Sequence, residues 1–213
     1  WVKALRASYC QTKVTRKEAV KDRTGKDFGD VYFLGAKLGE GAFGEVYLTL
    51  HKALGQERVA KVVLKAQLGM EEHHAVAEVE VLKSLDHPHI VRIFENFETT
   101  TSMHIIMDYA EGGDLASVIS DSQARGKSLP EPWVCHASGQ VLAALEYIHS
   151  KGVIHCDLKP ANLMLLRPCD WARCEDPHIL LADFGLSEIF HERAAGGAAA
   201  TRGSPAYLSP EPF

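Results

Sequence analysis

The nine residues Leu38-Gly39-Glu40-Gly41-Ala42-Phe43-Gly44-Glu45-Val46 constrain this chain more than any other segment. Glycines at GxGxxG spacing either open a helix, as in dinucleotide-binding folds, or join two strands. Here Glu45–Leu50 reads on as a strand, and Tyr32–Leu38 reads as a strand before it. The glycines therefore link two strands as a flap. Without Cβ atoms, the flap's backbone N–H groups can approach phosphates closely. Phe43 at the tip can shield them from water. A plain glycine-rich hairpin would satisfy the same pattern if it stood alone.

The following residues give the flap a context. Arg58–Leu64 reads as a third strand. Residues 70–85 read as a helix with Ala75, Val79, Leu82 and Leu85 on one face, ended by His87-Pro88. Ile90–Phe94 and Met103–Tyr109 read as two more strands, closed by Gly112-Gly113. Beyond that break the pattern turns helical. Asp114 is the expected N-cap of a short helix through Ile119, and Trp133–Ser150 is a longer helix stopped at Gly152. Short strands, Leu163–Leu166 and Ile179–Ala182, flank a polar loop. Ala194–Ala200 contains only glycine and alanine and reads as mobile. The expected class is α+β, with a β-rich lobe carrying one helix and then a mainly helical lobe.

Composition removes other classes. With 213 residues, 46% apolar and 24% charged, the chain is neither collagen-like, disordered nor a coiled coil. No apolar run approaches the roughly 18 residues of a membrane span. The chain starts at Trp1, and no signal peptide is visible. The net charge of −5 is uneven: residues 1–30 carry eight basic and four acidic side chains, +4, leaving −9 for the rest. A basic tail can bind nucleic acid or acidic lipid, but a solvated leader over residues 1–31 is the simpler reading. The acidic body argues against a nucleic-acid partner. Five cysteines, at 10, 135, 156, 169 and 174, do not form a disulfide framework and point to a reducing, intracellular and cytoplasmic setting. Cys169 and Cys174 are close in sequence and His178 is a candidate third ligand, but no second Cys or His pair follows at zinc-site spacing.

Lys61, in Arg58-Val59-Ala60-Lys61, places an ammonium on the strand after the flap. Glu78 shares a helix face with Leu82 and Leu85, where a carboxylate needs a partner. Lys61 is the obvious one, whereas Glu80 reads as solvent-exposed. Further on stand His155-Cys156-Asp157-Leu158-Lys159-Pro160-Ala161-Asn162, Asp183-Phe184-Gly185 and Ser209-Pro210-Glu211. With these motifs in this order, residues 32–213 resemble a eukaryotic protein kinase. Lys159 and Gly203-Ser204-Pro205-Ala206-Tyr207 resemble serine/threonine rather than tyrosine kinases. Glu78 to Pro88 and Gln123 to Lys127 resemble the calcium/calmodulin-dependent type, apicomplexan calcium-dependent protein kinases above all. No EF-hand is present; Asp121 to Pro132 lacks its closing Glu. Calcium control would therefore act through regions absent from this chain.

The resemblance implies an N-lobe over residues 32–107 and a C-lobe over 108–213. It implies ATP and Mg²⁺ as cofactors and protein Ser/Thr hydroxyls as substrates. Gly39, Glu40, Gly41, Ala42, Phe43 and Gly44 would cover the phosphates. Lys61 would pair the phosphates and Glu78. Leu38, Val46, Ala60 and Met164 would wall the adenine slot, with Met107 as gatekeeper and Asp108 to Ala110 as hinge. Asp157 would orient the substrate hydroxyl, Lys159 would steady the transferring group, and Asn162 and Asp183 would hold Mg²⁺.

Three departures matter. Cys156 replaces the usual Arg, and a thiol cannot bond a phosphorylated activation loop as a guanidinium does. Phosphorylation among Ser187, Thr201 and Ser204 is then not the main switch, and Ser204 is structural first. Ala161 replaces a frequent Glu while Asp114 keeps the other acidic position, which implies a weakened preference for basic peptides. Finally, the chain stops two residues after Glu211, short of the helices that complete such a lobe. The expectation is an incomplete kinase domain, with a nucleotide-binding pseudokinase or scaffold as the competing reading.

Overall fold

The structure, a computed structural model, describes residues 20–22, 24–41, 44–65, 79–183 and 204–207. Two compact units emerge. The first runs to Lys83 and adds Arg92–Tyr109; the second takes Ser84–Val91 and the chain from Ala110 onward.

The first unit is an antiparallel sheet in the order β1-β2-β3-β5-β4. Its strands are β1 (Tyr32–Gly41), β2 (Gly44–His51), β3 (Glu57–Leu64), β4 (Ile93–Glu98) and β5 (Ser102–Asp108). The solvated leader expected before them gives way, within the described residues, to packed structure. A single-turn helix, α1 (Phe28–Val31), is capped by Asp27, whose carboxylate accepts the Gly29 N–H at 2.7 Å. Val20, Phe28 and Val31 join Tyr32, Ala60, Phe97 and Ile106 in one buried cluster. Phe28 stacks on Tyr32 and meets Phe97 edge-on, both at 5.5 Å between ring centroids. Burying each such side chain is worth about 1.5–3 kcal/mol, which a basic-looking segment conceals from a reading of charge alone.

Arg58 is buried in the same unit. It donates to the Tyr32 hydroxyl at 2.7 Å and lies 3.6 Å over the Phe94 ring. Tyr32 donates in turn to Glu95. Burial, and then that carboxylate, push the Tyr32 phenol well above the ordinary range. Residues 79–83 are helical, and Val79, Leu82 and Leu85 are buried as their spacing predicts. Glu80 is half-buried and meets Lys83 at 2.9 Å.

The strand read at Ile90–Phe94 is corrected. β4 begins only at Ile93, and Ile90 instead bridges Leu181 in parallel. Val91 donates to the Leu181 carbonyl at 3.0 Å, and Leu181 to the His89 carbonyl at 2.8 Å. One apolar run is thus divided between the two units.

The second unit contains helix α2 (Leu115–Ala124), helix α3 (Glu131–Ser150) and the two-stranded ladder β6 (Leu163–Leu165) with β7 (Ile179–Leu181). Asp114 caps α2 as its sequence predicts, accepting the Ser117 N–H at 2.8 Å. The helix runs five residues beyond Ile119. Gly152 terminates α3 at φ +71°. Gly112 cannot be another residue, because a Cβ there would lie 2.4 Å from the Arg167 carbonyl oxygen. No helix among the described residues is long and apolar enough to cross a membrane. The expected mobile segment Ala194–Ala200 lies outside the described residues.

Candidate active site

The glycine-rich segment folds as the strand–strand hairpin its pattern predicts. Gly39 faces Val46, Glu40 faces Glu45 and Gly41 faces Gly44 across β1 and β2. Gly44 sits at φ +145°, and a Cβ there would fall 1.9 Å from the Val62 carbonyl oxygen. That glycine is demanded by the sheet itself. Gly39 has nothing within 4 Å of its Cβ direction among the described residues, so none of them requires it to be glycine. Lys37 meets Glu40 and Glu45 at 2.6 Å each, and these two bonds raise the Lys37 ammonium above its ordinary range. Ala42 and Phe43 lie outside the described residues.

Lys61 is half-buried on β3, opposite Val46 on β2 and Ile105 on β5. Glu78, its expected partner, lies outside the described residues. Of the expected adenine walls, Ala60 is fully buried in the sheet core, Val46 and Met164 are half-buried, and Leu38 is 47% exposed. Met107 pairs with Val59 and Ile93. Asp108 accepts the Arg92 N–H at 3.0 Å, while burial raises its carboxyl above the ordinary range. At Ala110 the chain enters the second unit. Among the described residues, the Ala110 N–H has no hydrogen-bond acceptor.

In the second unit the catalytic-loop residues converge. The 3-10 turn Pro160–Asn162 folds the chain back, so that Asn162 donates to the Asp157 carbonyl at 2.8 Å and to its carboxylate at 3.1 Å. Lys159 Nζ lies 2.6 Å from Asp157 Oδ2. Ser204 brings its N–H and hydroxyl to Oδ1 at 3.0 and 2.8 Å, and its hydroxyl also accepts from Lys159 at 2.9 Å. Burial alone would raise the Asp157 carboxyl; the Lys159 and Ser204 bonds outweigh it and hold the group below its ordinary range. The result is an ionised, positioned carboxylate.

His155 fixes this loop from beneath. Its Nδ1 accepts the Asp157 N–H at 3.3 Å, and its Nε2–H donates to the Ala182 carbonyl at 3.0 Å. One ring nitrogen must accept, so the ring is neutral, and burial lowers its pKa accordingly. Ala182 donates to the Asn162 carbonyl at 2.9 Å, which carries the chain to Asp183 at φ +54°. Cys156, at φ +62°, turns its thiol toward the Ile154 carbonyl.

Comparison with known proteins decides the family. Residues 32–213 match the model of the protein kinase domain. The chain belongs to the protein kinase family. It is 36% identical to human calcium/calmodulin-dependent protein kinase type 1B over 186 residues, 87% of this chain and 51% of that protein. It is 33% identical to the serine/threonine-protein kinase dkf-2 of Caenorhabditis briggsae, over 90% of this chain and 15% of that protein. It is 34% identical to the Arabidopsis thaliana SNF1-related protein kinase catalytic subunit alpha KIN12, over 84% of this chain and 34% of that protein. The chain therefore spans about half, or less, of the length of these relatives. Its α+β architecture, one sheet-rich unit and one helix-bearing unit, is that of the family.

Charge and motif spacing missed one site residue's burial partner set: nothing in the sequence indicated that His155 would bond both Asp157 and Ala182. The activation-segment residues Ser187, Thr201 and Ser209 to Glu211 lie outside the described residues.

Proposed function

We propose that this kinase-family chain transfers the γ-phosphate of ATP to serine or threonine hydroxyls of proteins. The observation that carries the reading is the Asp157 carboxylate, ionised and oriented by Lys159, Asn162 and Ser204. A carboxylate so held can accept a hydrogen bond from an incoming hydroxyl and aim its oxygen at phosphorus. Lys159 supplies positive charge where negative charge develops on the transferring oxygens. On the nucleotide side, Lys61 is read as the phosphate ammonium, and the open space at Gly39 supports the close approach of phosphate there. The acceptor-free N–H of Ala110 supports adenine bonding at the hinge.

Asn162 and Asp183 are the residues that would hold Mg²⁺. The donor set fits: Asn162 spends its amide N–H groups on Asp157, leaving a carbonyl oxygen, and Asp183 is a carboxylate. Mg²⁺ favours such hard oxygen donors, few from protein and the rest from water and phosphate. Bound there, it would neutralise phosphate charge.

The calcium/calmodulin-dependent type is supported by the relatives, and a finer likeness to apicomplexan calcium-dependent kinases rests on the segments quoted above. Calcium control is assigned to regions outside this chain, and the setting to the cytoplasm. The preference for basic peptides is a weakened one, because Ala161 supplies no carboxylate where relatives often have Glu, while Asp114 keeps the other acidic position. Cys156 favours one competing reading, a nucleotide-binding pseudokinase, since the loop lacks its usual Arg. Radiolabelled ATP with a serine peptide, with and without Mg²⁺, separates the two. Mg²⁺-dependent phosphopeptide supports the kinase; nucleotide binding without transfer supports the pseudokinase.

A further inference from the structure

Between β6 and β7 lies an insertion, residues 167–178, that the shared motifs do not explain. Its sequence reads as surface loop, yet Trp171 is only 6% exposed. The Trp171 indole N–H donates to Asp121 on α2 at 3.1 Å, and the Arg125 guanidinium lies 5.6 Å over its ring. A second tryptophan holds the other end. Trp133 of α3, 1% exposed, donates to the Cys169 sulfur at 3.4 Å, and that thiol donates to the Glu175 carbonyl at 3.2 Å. The Glu175 carboxylate closes the loop by accepting the Asp170 N–H at 2.9 Å. Five residues in a row, Ala172–Asp176, remain exposed on this anchored frame.

Held in this way, the insertion and α2 together line a wide, solvent-open groove of about 590 Å³. That volume falls within the roughly 300–1,000 Å³ of ligand clefts. Val118, Pro168 and Trp171 give it apolar surface. Its lining charges are three carboxylates, Asp121, Asp170 and Glu175, against one cation, Arg125. Arg125 is engaged by Asp121 at 2.9 Å, and Asp170 by Arg173 at 3.3 Å. Among the described residues, no cation pairs with Glu175. A groove with surplus negative charge repels phosphate-bearing nucleic acid and anionic lipid, and attracts arginine or lysine next to an apolar side chain.

We propose that this groove docks a basic, apolar-interspersed segment of a protein substrate, apart from the residues around the phosphorylated hydroxyl. The proposal rests on the protein-kinase reading for its purpose, but not for its binding. A segment docked on the unit that carries Asp157 raises the effective concentration of the tethered hydroxyl. It therefore acts on KM and leaves kcat alone.

The test uses the whole 213-residue chain and a fluorescein-labelled (Arg-Leu)4 peptide, followed by anisotropy. Binding should weaken with salt, and (Glu-Leu)4 should not bind. E175Q keeps the acceptor for Asp170 and removes the charge; it should weaken binding about three- to tenfold. D170N on top should weaken it further, while E131Q, an exposed carboxylate on α3, should change nothing. Matching thermal midpoints for the variants confirm that the fold is intact. In turnover, adding the Arg-Leu segment to a serine peptide should lower KM in the wild type and not in E175Q. Equal binding by E175Q/D170N and the wild type, or equal binding of the two peptides, overturns the proposal. So does a self-associated chain, seen by sedimentation, that (Arg-Leu)4 does not dissociate. Absence of phosphotransfer with charge-dependent binding intact would defeat the kinase reading and leave the groove assignment standing.

Discussion

Asp157 collects five close bonds, from Lys159, Asn162 twice and Ser204 twice, counting the Asn162 bond to its carbonyl. Removing the charge while keeping the shape is the sharpest probe. Asp157→Asn should lower kcat by about 10²–10⁴, measured by radiolabelled phosphate transfer, with nucleotide binding largely kept. Lys61→Met should lose both. The pH profile offers an independent check. The bonds that favour the charged carboxylate depress its pKa, so the acid limb of kcat/KM should lie below the ordinary carboxylate range. Ser204→Ala deletes the hydroxyl bond to Oδ1, and the limb should move upward. A limb unmoved in Ser204→Ala would show that another group controls it. Thr201→Ala should change activity little, because Cys156 offers no cation for a phosphate there.

At the scale of elements, the two hairpin glycines should behave oppositely. Gly44→Ala forces a Cβ against the Val62 carbonyl at 1.9 Å with φ +145°, and should lose about 2 kcal/mol or more in urea unfolding. Gly39→Ala meets no atom within 4 Å among the described residues and should leave stability nearly unchanged while weakening ATP binding. The insertion makes a similar contrast. Trp171→Ala removes a buried indole and its bond to Asp121, worth about 3 kcal/mol by cavity arguments. Hydrogen exchange at residues 168–177 should accelerate strongly, with far less change in β1–β5. Its anchoring was not legible beforehand: Pro168, Cys169 and Cys174 read as a loop, and only the third dimension supplies Asp121, Arg125 and Trp133. The same holds for Ile90, whose apolar run looked like one strand until Leu181 took part of it.

Across the whole molecule, acid sensitivity is written into neutral histidines. Burial lowers the pKa of His51 in the first unit and of His87 and His155 in the second. A histidine with a depressed folded pKa takes up a proton on unfolding. Stability is therefore full above its unfolded value of about 6.5 and declines as pH falls below it. His155 alone should contribute a slope of at most about 1.4 kcal/mol per pH unit. Urea midpoints from pH 7.5 to 5.5 should show the decline, and His155→Phe should flatten part of it. By its residues alone, the chain determined the strand-borne glycine hairpin, the Asp114 and Gly152 helix ends, and the order of motifs that places it among protein kinases. These are local matters of periodicity, capping and spacing. Only the tertiary structure decided that Val20, Phe28 and Val31 belong to a core, that His155 ties Asp157 to the distant Ala182, and that an insertion walls an acidic groove. Those outcomes depend on which buried groups find partners far along the chain, and no local pattern encodes that distance.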